Sequence, residues 1–210
     1  MMKVLVIGGT RGIGREVVRA AHAAGHELTL LARNAERISL PVTGVRVVAG
    51  DARDADDIER AVAGQHAVVW TVGIAPTRKP VDLFSRSTQF LLAAMNKHGV
   101  RRLVCVTGVG AGDSRGHGGF LYDRIVQPLF MKTIYEDKDR QEALLRASEV
   151  DWTVVRPGRL TNGPATGLAR ALTNLDGVTA GSVSRADVAA FIIENLDTGD
   201  YRRTAVLLTR

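Results

Sequence analysis

The feature that most constrains the fold of this chain is a short apolar strand near its start that ends in three spaced glycines. Residues 3–7 are followed by Gly8, Gly12 and Gly14, and a segment with helical periodicity begins among these glycines. The order of strand, tight turn and helix is typical of a dinucleotide-binding βα unit, although an ordinary βα turn is the alternative. We expect Gly8 to turn the chain off the strand and Gly12 to let a pyrophosphate approach the backbone. Gly14 is expected to let the helix pack closely on the strand.

Apolar runs and helical segments alternate along the whole chain. The predicted strands cover residues 3–7, 27–32, 45–49, 67–72, 103–107, 152–155 and 205–209. The predicted helices cover residues 13–24, 54–63, 82–98, 135–148 and 184–196, with a further helical stretch that ends near 131 and is interrupted at Pro128. Each strand is a nearly continuous apolar run, as expected when helices bury both faces of a sheet. The pattern predicts an α/β fold, namely a single-domain doubly wound parallel sheet (Rossmann fold) over residues 1–210.

Composition argues against several classes of function. The net charge is +6, but the basic residues are spread along the chain and form no basic arm or nucleic-acid motif, so we expect no nucleic-acid partner. The single Cys105 lies in an apolar strand and the five histidines are scattered, which predicts no metal site.

No apolar run approaches the roughly 20 residues of a membrane helix. The start of the chain lacks the features of a secretory signal. We therefore expect a cytoplasmic protein with no membrane partner, and both a monomer and a homodimer stay open.

A glycine-rich segment, residues 108–119, follows the fifth predicted strand. Open α/β sheets bind their ligands at the carboxyl ends of the strands. We predict that this segment is a lid over an active site, with a plain flexible connection as the alternative. The substrate pocket is then expected to form from residues 108–131 and 158–183.

Two arginines indicate which dinucleotide binds. An NAD site usually has an acidic residue at the end of the second strand, but this strand ends in Ala32-Arg33. A guanidinium at Arg33 would attract the 2′-phosphate of NADP, and Arg11 in the glycine turn is a second cation near the same place. NADP(H) is therefore favoured over NAD(H). Asp51, after the third strand, is placed either to accept from the adenine amino group or to stabilise a turn.

These motifs together resemble the atypical short-chain dehydrogenases/reductases over nearly the whole chain. The matching segments are the glycine turn, Gly50-Asp51-Ala52, Thr71-Val72-Gly73, Val104 to Thr107, Lys138 to Leu145, Asp151 to Gly158, and Ser184 to Ala189. Within that branch the chain is similar to the NADPH-dependent flavin and biliverdin-IX-beta reductases and to the NmrA-type cofactor-binding regulators. Its glycine spacing is closer to the tyrosine-dependent branch.

The resemblance implies three catalytic positions. In catalytic relatives a Ser or Thr after the fifth strand orients the substrate, a Tyr supplies a proton, and a Lys four residues later binds the nicotinamide ribose. Thr107 and Lys138 match the first and last of these roles. The tyrosine is out of register, because Ile134 stands four residues before Lys138 and Tyr135 only three.

Three interpretations of Tyr135 follow: a displaced acid, a packing residue at the helix start, or a pocket residue that transfers no proton. We favour the last two interpretations together. Tyr122 is a second candidate for the catalytic tyrosine. The resemblance also places Pro157 beside the nicotinamide ring.

The positions expected to contact the cofactor come from the glycine turn, the carboxyl ends of the strands and the Thr–Lys pair. They are Gly8, Thr10, Arg11, Gly12, Ile13, Gly14, Arg33, Asp51, Ala52, Val72, Gly73, Thr107, Lys138 and Pro157.

The resulting hypothesis is an NADPH-dependent oxidoreductase that passes hydride to a flat conjugated acceptor, such as a flavin or a quinone. Protons for such an acceptor can come from water, which suits the loss of a dedicated donor. The first alternative is a non-catalytic NADP(H)-binding redox sensor of the NmrA type. A sugar-nucleotide epimerase or dehydratase ranks last. Only about 50 residues follow the sixth strand, which leaves little for a separate substrate domain, and the Tyr-x3-Lys expected of such enzymes is missing.

Overall fold

Short apolar strands and amphipathic helices alternate in the computed structural model, which describes residues 1–210 apart from the side chain of Arg37. The strands are β1 (Lys3–Ile7), β2 (Glu27–Ala32), β3 (Arg46–Ala49), β4 (Ala67–Trp70), β5 (Arg102–Val106), β6 (Asp151–Pro157), β7 (Arg159–Thr161), β8 (Arg170–Leu172), β9 (Ser182–Ser184) and β10 (Thr204–Thr209). The α-helices are α1 (Gly12–Ala23), α2 (Ala55–Val62), α3 (Leu83–Lys97), α4 (Lys132–Ala147) and α5 (Arg185–Thr198).

The main sheet has the order β3-β2-β1-β4-β5-β6-β10-β8. Every pairing from β3 to β10 is parallel, which confirms the predicted doubly wound sheet. The edge strand β8 is antiparallel to β10, and β7 pairs with β9 in a separate two-stranded sheet. The sequence analysis missed β7, β8 and β9, because three-residue strands are too short to show a periodic apolar pattern.

Helices cover both faces of the sheet, as the two sides of β1 show. Val4 and Val6 pack in the apolar cluster that includes residues of α1 and α5. Leu5 and Ile7 pack in the opposite cluster with residues of α2, α3 and α4. Since both faces of β1 are buried, its residues read as one continuous apolar run.

Side chains cap two of the predicted helices at their first residues. The Asp54 side chain accepts from the Asp57 N–H at 3.0 Å at the start of α2, and Ser184 Oγ accepts from the Asp187 N–H at 2.9 Å at the start of α5. Each supplies an acceptor to a helix N–H that has no partner within its own helix.

The connections at the carboxyl edge differ in detail from the prediction. Strand β4 ends at Trp70 rather than at residue 72, so residues 71–73 leave the sheet beside the glycine turn. Residues Tyr122–Met131 form a wide π-type helix that contains Pro128, and α4 begins directly after it. These segments lie where the carboxyl ends of the parallel strands meet, the edge at which such sheets bind ligands.

Candidate cofactor and active site

The glycine turn brings β1, α1 and the end of β4 into close contact. Gly8 has a φ of +96°, and a Cβ there would lie 2.8 Å from the Thr71 carbonyl carbon. A Cβ on Gly14 would overlap the Gly8 carbonyl oxygen and lie 2.5 Å from Thr71 Oγ1. Side chains at these two glycines would therefore push the helix away from the sheet.

Gly12 has the opposite environment, because the space on its Cβ side is open. Its φ is +58°, and the nearest atom that a Cβ would meet is Arg185 Nε, at 3.9 Å. Open space at the first turn of α1, next to backbone N–H groups and a guanidinium, fits the pyrophosphate of a dinucleotide. Thr10 and Ile13 flank this turn, the former exposed and the latter half-buried.

Arg11 and Arg33 lie at the ends of neighbouring parallel strands. Arg33 directly follows β2, Arg11 directly precedes α1, and the Ile7–Leu31 pairing places the ends of β1 and β2 side by side. Both arginines are exposed, and among the described residues neither forms an ion pair with a carboxylate. Two cations without acidic partners at this corner suit an anionic group such as a 2′-phosphate.

Asp51 shapes the turn after β3. Its Oδ1 accepts from the Arg53 N–H at 3.0 Å, and its own N–H donates to Asp57 Oδ2 at 2.7 Å. That backbone hydrogen bond, together with Arg60, holds the pKa of Asp57 below its usual value. The turn role of Asp51 is thus visible, and its second carboxylate oxygen lies outside these bonds.

Ala52, Val72 and Gly73 line the same edge of the sheet. Ala52 and Val72 are half-buried and pack against the apolar cluster under α2 and α3. A Cβ on Gly73 would meet nothing within 4 Å, so the chain leaves open space after β4.

Tyr135 lies in the first turns of α4 with its hydroxyl against the glycine-rich loop. Its side chain is buried (6% exposed), and its hydroxyl accepts from Tyr122 Oη at 2.7 Å. A Cβ on Gly108 would lie 2.8 Å from the Tyr135 hydroxyl, so glycine is what admits the phenol. Burial, and then the neighbouring Tyr122, raises the pKa of Tyr135 well above its usual range. The phenol is therefore protonated at neutral pH.

Lys138 lies one turn further along α4. Its ammonium donates to the backbone oxygen of Thr107, 5.3 Å from the ring centroid of Phe84 and 5.6 Å from that of Tyr135. Burial lowers the pKa of Lys138 to about 8, although the nearby Glu142 carboxylate acts in the opposite direction. Lys138 and Thr107 are thus brought together, as the resemblance implies.

The hydroxyl of Thr107 points into the protein rather than toward the expected substrate side. Thr107 is buried and its Oγ1 donates to Glu142 Oε1 at 2.8 Å. A carboxylate has no hydrogen to give, so the Thr107 hydroxyl must be the donor in this bond. In this arrangement its proton is not available to a substrate carbonyl.

Glu142 is in turn fixed by a buried arginine. Arg156 (1% exposed) donates to Glu142 (2% exposed) from Nε at 3.1 Å and from Nη2 at 2.5 Å, and its Nη1 pairs with Asp113. Burial opposes the charge of Arg156, but the bonds to Glu142 and Asp113 outweigh it and raise the pKa of Arg156. Gly112 packs so tightly here that a Cβ would overlap Arg156 Nη2. This network ties β6, α4 and the loop after β5 together beneath Thr107.

Sequence analysis assigned no role to this network. A signal was present, because Arg156 is the one charged residue between Trp152 and Pro157 in an apolar strand. When both faces of a strand are covered, a charged side chain on it is buried and needs a partner of opposite charge. Asp137 was missed as well: it is fully buried on α4 and accepts from the Phe84 N–H at 2.7 Å, at the start of α3.

The two segments expected to form the substrate pocket contact each other. The His117 carbonyl accepts from the Ala180 N–H at 2.7 Å, and His117 Nδ1 lies 2.8 Å from the Val178 carbonyl oxygen. Gln127 ties the π-type helix to the loop by donating to the Gly110 carbonyl at 2.9 Å. Both segments carry exposed apolar side chains: Phe120, Leu121, Ile125, Leu129, Phe130 and Leu168.

Pro157 ends β6 next to Thr107 and the loop. It is buried, and its carbonyl accepts from the Val109 N–H at 3.1 Å. The strand end, the loop and Lys138 therefore share one corner of the carboxyl edge.

Neither a metal-binding cluster nor a membrane-spanning helix is present in the part of the chain that the structure describes. His, Cys, Asp and Glu side chains there form no cluster of three or more that could hold a metal ion. No helix there is long and apolar enough to cross a membrane.

Comparison with known proteins identifies the family of the chain and several relatives. A family model described as NAD(P)H-binding matches residues 8–199. A Bacillus subtilis protein, the uncharacterized sugar epimerase YhfK, is 28% identical over 99% of this chain and 94% of its own length. A (4-alkanoyl-5-oxo-2,5-dihydrofuran-3-yl)methyl phosphate reductase of Streptomyces griseus is 30% identical over 97% of this chain, which spans 61% of that enzyme.

A solved structure agrees with the fold and the branch. ChuY, an anaerobillin reductase from Escherichia coli O157:H7, superposes with a TM-score of 0.83 at 27% identity, over 99% of this chain and 96% of its own. The resemblance to atypical short-chain dehydrogenases/reductases is thereby confirmed, and the chain belongs to the NAD(P)H-binding family of Rossmann-fold proteins.

Proposed function

We propose that the protein reduces a flat conjugated acceptor, such as a flavin or a quinone, with NADPH as the hydride donor. The nicotinamide supplies the hydride when the cofactor is bound. Arg11 and Arg33 would hold the 2′-phosphate, and the Gly12 turn would hold the pyrophosphate. Lys138 would hold the nicotinamide ribose, and Pro157 would border the ring.

The observation that carries this proposal is the hydrogen bond between buried Tyr135 and half-buried Tyr122. Alcohol oxidation in the tyrosine-dependent branch needs a general base, and the raised pKa of Tyr135 disfavours a phenolate at neutral pH. The Thr107 hydroxyl donates its hydrogen bond to Glu142, with 2.8 Å between Oγ1 and Oε1. A phenol that resists ionisation is a poor base and a weak acid, so the site suits an acceptor whose protons arrive from water.

The exposed apolar side chains beside the site support a flat apolar acceptor. Residues 120–131 follow the glycine-rich loop and contact Tyr135 through Tyr122. Burying apolar surface contributes about 25 cal/mol per Å², so this segment favours ligands that cover it. Two of the relatives described above are reductases, which agrees with the direction of the proposed reaction.

The test is consumption of NADPH by the purified protein with FMN, and then with a quinone, with NADH measured in parallel. We expect oxidation that depends on the acceptor and is faster with NADPH. NADPH binding without consumption by either acceptor would overturn the proposal in favour of a redox sensor. Equal rates with NADH would overturn the assignment of the two arginines.

A further inference from the structure

We propose that Arg185, at the start of α5, is a pyrophosphate-binding residue of the cofactor site and that Asn162 positions it. The proposal rests on cofactor binding by this family and not on the identity of the acceptor. Arg185 belongs to the segment Ser184 to Ala189, which resembles the family, but the resemblance implies no role for it.

The position of Arg185 follows from the packing of α5 on α1. Arg185 is the first residue of α5, directly after the capping Ser184, and α1 is the neighbouring helix on this face of the sheet. Apart from its chain neighbours and the backbone of its own helix, the atom nearest to a Cβ built on Gly12 is Arg185 Nε, at 3.9 Å. The guanidinium thus borders the open space that the glycine turn leaves for a phosphate.

The guanidinium is held by a neutral group. Its Nη1 donates to Asn162 Oδ1 at 2.8 Å, in the segment after β7. The nearby carboxylate of Asp187 is engaged elsewhere, because it accepts from Ser184 Oγ at 2.8 Å, the Thr166 N–H at 2.7 Å and the Gly167 N–H at 3.0 Å.

Among the described residues, Arg185 therefore has no carboxylate partner. A partly buried cation that is oriented but not neutralised is suited to an anion. The guanidinium fork can donate two parallel hydrogen bonds to phosphate oxygens. The same contact would join the β7–α5 region to the cofactor, so the segment that is expected to form the pocket would be ordered by NADPH.

Ligands that carry different phosphates separate this role from that of Arg33. ADP-ribose carries the pyrophosphate without a 2′-phosphate, and adenosine 2′-phosphate carries the reverse. We expect Arg185→Gln to weaken NADPH and ADP-ribose binding by the same factor, about ten- to thirtyfold for lost charged hydrogen bonds. Adenosine 2′-phosphate binding should be unchanged. Arg33→Gln should instead weaken the binding of NADPH and adenosine 2′-phosphate and leave that of ADP-ribose unchanged.

The experiment is titration calorimetry of these ligands with the wild-type protein and its variants. Arg202→Gln is the matched control, since it removes the same charge from an exposed position beyond the other end of α5. Asn162→Ala should weaken ADP-ribose binding severalfold in the wild-type background and not at all beside Arg185→Gln. Arg185→Lys keeps the charge but loses the fork, and should bind ADP-ribose with intermediate affinity.

ADP-ribose affinity within twofold of the wild type in Arg185→Gln would overturn the proposal. A loss confined to NADPH and adenosine 2′-phosphate would also overturn it, by assigning Arg185 to the 2′-phosphate. Failure of the proposed acceptor chemistry would appear instead as absent NADPH turnover with ADP-ribose binding intact, so the two proposals fail separately.

Discussion

Replacing Glu142 by Gln is expected to destabilise the fold by about 3 kcal/mol, because it removes the charge that neutralises a fully buried guanidinium. Glu142 and Arg156 are both less than 3% exposed, so water cannot take over the lost contact. The substitution keeps the size of the side chain, which separates the electrostatic effect from a packing defect.

The magnitude follows from the bonds at the carboxylate. Arg156 donates to it at 3.1 Å and 2.5 Å, and each hydrogen bond to a charged group contributes about 1.5–3 kcal/mol, or about 3–6 kcal/mol for the two. Arg156 keeps its contact to Asp113, and the Gln carbonyl oxygen can still accept one bond. The loss should therefore lie near the lower bound.

The assay is urea unfolding at pH 7 with Glu136→Gln as the control. Glu136 is on the same helix but exposed, 3.9 Å from Lys132, and its replacement should cost no more than about 0.5 kcal/mol. Adding Arg156→Met to Glu142→Gln should cost less than the sum of the single changes, since no unpaired charge is left. Equal losses for Glu142→Gln and Glu136→Gln would refute the reasoning, as would strict additivity in the double variant.

Three further predictions concern the site. Tyr135→Phe should slow FMN reduction by less than tenfold, under about 1.4 kcal/mol, because water can supply the protons; a loss of several orders of magnitude in stopped-flow rates would restore Tyr135 as the acid. Arg33→Asp should shift kcat/KM from NADPH toward NADH by repelling the 2′-phosphate, and an unchanged NADPH affinity would contradict the assignment. The pKa of Lys138 is lowered from 10.5 to about 8, so the unfolded chain binds more protons between these values and Lys138 contributes more stability as pH rises through 8. Urea unfolding from pH 7 to 10 should show the wild type gaining stability relative to Lys138→Met, and a constant difference would argue against a perturbed lysine.

Most of the fold could be predicted because buried parallel strands carry their own signal. β1, β2 and β10 were located within one residue, since each is an apolar run that helices cover on both faces. The strands β7, β8 and β9 could not be located, because their three residues are paired by long-range contacts rather than by any local pattern. The sequence predicts the end of β4 two residues late, because Thr71 and Val72 are compatible with a strand, whereas in the structure they lie against Gly8 beyond the end of β4.

In the candidate site, too, the sequence predicts the residues that follow a strand directly but not the contacts that long-range packing creates. The glycine turn and the Arg11–Arg33 pair are sequence-local, so their position at the ends of β1 and β2 followed once the strands were known. The direction of the Thr107 hydroxyl was not accessible, because it depends on Glu142, which lies 35 residues away along the chain. The position of Arg185 beside Gly12 was equally hidden, since it arises from the packing of α5 on α1.

The register of α4 explains why the chain keeps the lysine of its relatives but not their tyrosine. Moving a side chain by one position rotates it by about 100° around a helix, so Tyr135 points in a different direction from a residue four before Lys138. That position holds Ile134, which is 2% exposed in a small apolar cluster shared with Tyr135. The rotated phenol fits against Gly108 and accepts its hydrogen bond from Tyr122, while Lys138 keeps its contact with the loop backbone. If Lys138 binds the nicotinamide ribose as proposed, the core has taken the position of the proton donor and left the position of that lysine intact. Such a combination would cost a carbonyl reductase its acid, but would cost little to an enzyme whose acceptor takes protons from water.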